Sequence, residues 1–250
     1  MKTRIVIFGN GELDSKLLAE ISSRDFVIGV DYGAYWLLKH KIIPQVAIGD
    51  FDSVSEEELQ VIRKEIGEVR EYEKEKDATD MDLAVDFAIS KKPTEIILFG
   101  ALGRRLDQTL ANIGLLEKIA DAGIQGWIKD AHNWVTVVSK NIIISRQLFE
   151  KNTLRAIRQQ AESREVTKKK FSTSLEQKEN SHFEDWYVSI IPLTKTAKVT
   201  LKGFKYPITA QKMERGKTLG ISNELTSSSG TISVKQGRVF VVLSKKDTLL

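Results

Sequence analysis

The stretch HKIIPQVAIGDFDSVSEEE, residues 40–58, holds the unit on which the first half of the chain is built. VAIG is a short apolar run of the kind that forms a buried strand, and SEEELQVIRKEIG after it has helical apolar spacing behind acids suited to a helix N-terminus. Between them stand two aspartates, Asp50 and Asp52, separated by one aromatic residue. In extended backbone, side chains at i and i+2 point the same way, so two carboxylates would face one point in space. A divalent metal would relieve their repulsion. A turn in which Asp52 or Ser53 caps the following helix explains the same residues, and the motif alone leaves both readings open.

The same strand–turn–helix unit recurs over the first 140 residues. RIVIFG (4–9), FVIGV (26–30), VAIGD (46–50), EIILFG (95–100) and WVTVV (134–138) read as buried strands. LDSKLLAEIS, YGAYWLLKH, SEEELQVIRKEIG, TDMDLAVDFAIS and RLDQTLANIGLLEKIADAG read as helices between them. This alternation predicts an α/β domain with a parallel sheet covered on both faces, ligands lying beyond the carboxyl ends of the strands. Residues 141–183 break the pattern, being charged and poor in apolar residues, and read as an insertion or mobile connector. From 184 to 250 the texture is alternating strands with glycine turns, predicting a smaller all-β domain.

Composition narrows the chemistry. There is no cysteine, which excludes disulfides, thiolate metal sites and thiol nucleophiles, and three scattered histidines make no zinc pair. The first strand is too short for a signal peptide and no run reaches a membrane span, so a soluble cytoplasmic protein is expected, without membrane or nucleic-acid partners. The net charge of +4 conceals an asymmetry. Residues 1–140 carry 18 Lys and Arg against 24 Asp and Glu, net −6, whereas residues 141–250 carry 20 against 10, net +10. An acidic half suits a cation or metal site there.

Two further clusters could carry chemistry. In EKDATDMDLAVDFAI, Thr79 and Asp82 match a capping box, which leaves Asp77 and Asp80 for metal or substrate and Lys76 for a phosphate. In GALGRRLDQTLANIG (100–114), a glycine turn opens a helix. Its spacing puts Leu106, Leu110 and Ile113 on the core face and Arg105, Gln108 and Asn112 along a polar one, with Asp107 beside them. Behind a glycine-rich turn at a strand end, that polar stripe suits a phosphate. Two glycine motifs are decoys: GNGELD (9–14) has Asp14 where a dinucleotide fingerprint needs glycine, and RGKTLG (215–220) has Gln211 where a Walker loop needs it.

DYGAYWLL, GDFDSV, KDATDMDLA, GRRLDQTLANI, YVSIIPL, GFKYPI and GISNE, in this order, resemble the thiamine pyrophosphokinase family, from about Ile5 to Ser244 apart from 141–183. The resemblance implies a Rossmann-like catalytic domain, a β-sandwich thiamine-binding domain, and a homodimer with sites at the subunit interface. It implies transfer of the diphosphoryl group of ATP to the hydroxyl of thiamine, with Mg²⁺. By motif match, Asp50, Asp52 and Asp80 are expected at the metal, with Arg105 and Asp107 also catalytic. Asp31, Lys76, Asp77, Thr79, Gln108 and Asn112 are expected on the ATP side, and Ser222 and Asn223 on the thiamine side. Two positions depart from the family pattern GRxDH: Arg104 stands for its glycine and Gln108 for its histidine, so a histidine general base at that place is excluded. The rival readings are another Mg²⁺-dependent phosphotransferase or nucleotide hydrolase, and a nucleic-acid-binding protein using KKKF (168–171).

Overall fold

The computed structural model describes residues 3–148 and 185–246, and the chain divides into two compact units after Thr136, with Leu18–Glu20 grouped in the second. The first unit is built on β1 (Arg4–Phe8), β2 (Phe26–Val30), β3 (Val46–Gly49), β4 (Val69–Glu71), β5 (Glu95–Phe99), β6 (Gln125–Lys129) and the first four residues of β7 (Asn133–Val138). These strands lie in the order β4-β3-β2-β1-β5-β6-β7, every pair parallel except β6 with β7. Strands β1 and β5 pair from Arg4 with Glu95 to Phe8 with Phe99. From that pair the chain runs outward in both directions, so a topological switch point falls between them.

Four helices connect the strands: α1 (Tyr32–Lys39), α2 (Glu56–Glu65), α3 (Asp80–Ser90) and α4 (Leu106–Asp121). Helix α1 packs against α2, and α3 against α4. That pairing is what right-handed crossovers running in opposite directions from the switch point require, one pair on each face. The buried strand residues Ile5 to Phe8, Val27, Ile28, Ile48 and Ile96 to Phe99 form the centre of the core.

The second unit is antiparallel: β8 (Asn141–Ser145), β10 (Thr196–Lys202), β11 (Ile208–Glu214) and β12 (Ser229–Gln236) make a sheet in the order β11-β10-β12-β8, while β9 (Trp186–Pro192) pairs with β13 (Val239–Lys245). Burial alternates along β10 and β13, the pattern of sheets with one face on a core, in a β-sandwich.

Several sequence expectations change. The helix expected over LDSKLLAEIS is a 3-10 helix, Ser15–Glu20. The stretch 141–183 enters as strand β8, and the rest of it beyond Leu148 lies outside the described residues. Neither Asp52 nor Ser53 caps α2. Ser55 does, in a reciprocal box with Glu58. Thr79 caps α3 by accepting from Asp82 N–H, but the Asp82 carboxylate goes to Lys118 at 2.6 Å, so only half of that box forms. The core face of α4 is Asn112, Leu116 and Ile119. Leu106 and Leu110, assigned to the core by their spacing, are 68% and 60% exposed.

Candidate active site

The site lies at the carboxyl ends of the parallel strands of the first unit, where the turns after β1 and β5 are knitted together. Gly9 N–H donates to Phe99 O, Gly11 N–H to Gly100 O, and Glu12 N–H to Leu102 O, at 2.8, 2.8 and 3.0 Å. A side chain at Gly11 would meet the carbonyl oxygens of Leu102 and Gly100 at 2.4 and 2.5 Å, so only glycine allows this approach. These turns floor a cavity of about 590 Å³, walled by Asp31, Asp50, Asp52, Asp80 and by Lys74, Lys76, Arg104 and Arg105.

Phe51 explains the aromatic between the two aspartates. It is buried with Ala34, Ala47, Ile62 and Ile66, beneath α1 and α2, and its φ of 55° bends the chain there. Asp50 and Asp52 therefore do not project in parallel from an extended segment. Asp52 N–H turns back to donate to Asp50 Oδ1 at 3.1 Å, and the Asp52 carboxylate, 51% exposed, lies 3.8 Å from Lys74. The third carboxylate beside Asp50 and Asp80 comes instead from Asp31, at the end of the neighbouring strand β2. Asp31, Asp50 and Asp80 each offer an oxygen within 4.8 Å of the others.

The electrostatics of this triad are polarised. Burial, followed by the charge of Asp80, raises the Asp31 carboxyl to about 7; the Phe51 N–H it accepts at 3.1 Å pulls the other way, and Asp50 and Asp52 raise it further. Burial also pushes Asp50 up, but the Lys76 hydrogen bond, the Asp52 N–H and the charges of Lys76 and Lys74 outweigh it and hold Asp50 below its ordinary value. Asp80 Oδ1 is buried and ion-paired with Lys76 at 2.9 Å, yet no donor is aligned on it as a hydrogen bond. Three hard oxygen donors converging, one of them short of a directed partner, fit a small divalent cation such as Mg²⁺.

Two family profiles match the chain, "Thiamin pyrophosphokinase, catalytic domain" over residues 17–128 and "Thiamin pyrophosphokinase, vitamin B1 binding domain" over residues 172–239. A thiamine pyrophosphokinase of Bacillus subtilis (strain 168) is 35% identical over 246 residues, 98% of this chain and 99% of the relative. The chain belongs to the thiamine pyrophosphokinase family. Crystal structures of thiamine pyrophosphokinases from Bacillus subtilis and Geobacillus thermodenitrificans each superpose with a TM-score of 0.77 at 32% identity. The first match covers 97% of this chain and 99% of its counterpart, the second 99% and 100%.

Among the residues expected from the thiamine pyrophosphokinase motifs, Thr79, Arg105, Gln108 and Asn112 line the cavity with the acids. Asn112 is buried, donates to Ala101 O at 2.7 Å, and keeps Oδ1 without a partner. Asp77 and Asp107 are exposed and do not line the cavity. Arg105 holds Asp107 at 2.7 Å and keeps its carboxyl below the ordinary value. In the second unit, Ser222 is exposed with φ 56°, and its N–H donates to Ser189 Oγ at 3.0 Å. Asn223 is buried, accepts from the N–H groups of Tyr206 and Glu224, and donates to Tyr206 O, so its amide organises this turn. Lys74 also lines the cavity, outside the motifs named above. The alternating charges of EKEKD, after a strand end, were the signal available.

Proposed function

We propose that this member of the thiamine pyrophosphokinase family transfers the diphosphoryl group of ATP to the hydroxyl of thiamine, giving thiamine diphosphate and AMP, at the cavity of the first unit. The observation that carries the reading is the convergence of Asp31, Asp50 and Asp80 beside four cationic side chains, above glycine turns at a switch point. Asp31, Asp50 and Asp80 would hold Mg²⁺, with Asp52 at the outer wall. Bound there, Mg²⁺ supplies charge neutralisation for the transferred phosphoryl oxygens.

The chain's own groups do the rest. Attack on the β-phosphorus builds negative charge on the transferred and leaving oxygens, and Lys74, Lys76, Arg104 and Arg105 line the space where that charge develops. Thr79, Gln108 and Asn112 offer neutral hydrogen-bonding groups to nucleotide or phosphate, and Asp107 steadies Arg105. Gln108 can orient a hydroxyl but cannot take its proton, which leaves the cavity carboxylates as the protein groups able to accept it. Ser222 and Asn223 serve the thiamine side, within a thiamine-binding domain over 184–250. The catalytic domain ends near Thr136, and Asn141–Ser145 already pairs into the sheet of the second unit.

The working form is a homodimer with sites at the subunit interface, in the cytoplasm. The exposed Leu106 and Leu110 on α4, beside Arg105 and Gln108, are an apolar face of the kind a second copy covers. The test is product analysis with ATP, Mg²⁺ and thiamine. AMP formed only when thiamine is present supports transfer, whereas phosphate released at the same rate without thiamine would mark a nucleotide hydrolase.

A further inference from the structure

Lys76 stands where two cations would compete. Its ammonium donates to Asp50 Oδ2 at 3.0 Å, lies 2.9 Å from Asp80 Oδ1, and donates to Glu73 O at 3.0 Å. The side chain is 15% exposed, so this is a lodged group and not a surface lysine passing by. Asp50 and Asp80 are two of the three carboxylates whose oxygens gather within 4.8 Å. An ammonium seated on two of them and a divalent cation held by all three compete for the same carboxylates, and at such separations their charges repel strongly.

The neighbouring cations are engaged elsewhere: Lys74 lies 3.8 Å from Asp52, and Arg105 lies 2.7 Å from Asp107. Without Lys76, the three acids would lose the cation in direct contact with two of them and keep the charge of Lys74, which acts on Asp50 without a hydrogen bond to it. The lysine belongs to residues 73–79, which form neither helix nor strand between β4 and α3, and its ammonium rides on a flexible four-carbon stem. It also lines the cavity shared with Lys74, Arg104 and Arg105, so a displaced ammonium enters a space already suited to negative charge.

We propose that Lys76 is a resident counter-ion that occupies the metal cradle in the nucleotide-free protein and transfers to the triphosphate when metal and ATP are both bound. This rests on the reading that the triad holds Mg²⁺ and the cavity holds ATP. Metal alone then binds weakly, because it must evict an ammonium. With ATP present the phosphates receive that ammonium, and the two ligands favour each other's binding. The device suppresses a metal-loaded but nucleotide-free site.

The test is a titration of the nucleotide-free protein with Mn²⁺, followed by electron paramagnetic resonance, on wild type, Lys76→Met and Lys76→Gln. Circular dichroism checks that each variant is folded. Both variants lose the charge, while Gln keeps an N–H donor for Asp50. Removing a unit charge a few ångströms from the metal is expected to tighten Mn²⁺ binding by about ten- to a hundredfold in both. Binding of α,β-methylene ATP at saturating Mg²⁺ is expected to weaken about tenfold in both, since the phosphates lose a cation. Folded variants that bind Mn²⁺ no more tightly than wild type would overturn the proposal, as would tightening in Met alone. Tighter Mn²⁺ with unchanged nucleotide affinity would overturn the transfer to phosphate. Asp50→Asn separates the two levels: loss of Mn²⁺ binding there upholds the metal site whatever Lys76 does. Absence of Mn²⁺ binding in wild type and variants alike would sink both.

Discussion

Asp31→Asn should stabilise the metal-free protein while disabling it. Asp31 is buried at the end of β2, and its carboxyl is raised from 3.8 to about 7, first by burial and then by the charge of Asp80. A carboxyl with a raised folded-state value contributes stability that is fully present below its unfolded value and is lost as pH rises through the folded one. The wild type therefore loses about 1.4 kcal/mol per pH unit through this residue between roughly pH 4 and 7, flattening above 7. Asparagine removes the charge, can still accept the Phe51 N–H through Oδ1, and matches aspartate in shape at the positive φ of 47° found at this position. Below pH 7 Asp31 is neutral in the wild type as asparagine is in the variant, and acids distant from the triad cancel in the comparison. In EDTA, the stability of Asp31→Asn relative to wild type should thus grow by about 2–3 kcal/mol between pH 5 and pH 8. Thermal melts should register this as a relative gain of about 5–10 °C. Added Mg²⁺ at pH 8 should stabilise the wild type and leave the variant unmoved. A stability difference that stays constant from pH 5 to pH 8 would refute the buried, mutually repelling triad.

Four other substitutions probe separate parts of the site. Asp50→Asn should lower kcat by about a thousandfold or more, the scale of losing a charge that acts on the transition state; Asp52→Asn should also lose activity at unchanged melting temperature, and full activity there would leave Asp52 only its place in the turn. Gly49→Ala would put a Cβ 1.9 Å from Asp31 Oδ1, so Mn²⁺ binding and turnover should both fall; a variant that binds Mn²⁺ normally would show that the triad can shift aside. Leu110→Glu on the exposed apolar face of α4 should move the protein toward monomer in sedimentation velocity with its fold intact, and an unchanged sedimentation coefficient would remove that face from the dimer.

What the sequence made legible follows from what hydrophobic patterning can carry. The central strands are continuous apolar runs, and the parallel α/β reading comes directly from their alternation with amphipathic helices. Strand β4, with the residues VRE and two of the three exposed, has no such run, and β6 hides a glycine where Leu116 and Ile119 press on the sheet. On α4 the spacing of Leu106 and Leu110 shows that they share a stripe, but not which stripe faces the core. Asn112 holds that place because its amide bonds the Ala101 carbonyl. The acids at 50, 52 and 80 were visible as motifs. That Asp31 completes the triad depends on β2 lying beside β3, a neighbour relation that local spacing does not encode. The turn at Phe51 was equally hidden, since its positive φ follows from burying the ring beneath two helices.

Diphosphoryl transfer breaks the bond between the α- and β-phosphoryl groups of ATP and joins the β-phosphorus to the hydroxyl oxygen of thiamine. Following the label from ATP carrying ³²P at the β position, with Mg²⁺ and thiamine, tests it in one incubation. All transferred label should appear in thiamine diphosphate, with unlabelled AMP formed in equal amount. Label recovered in ADP or in free phosphate or pyrophosphate, with thiamine unchanged, would contradict it.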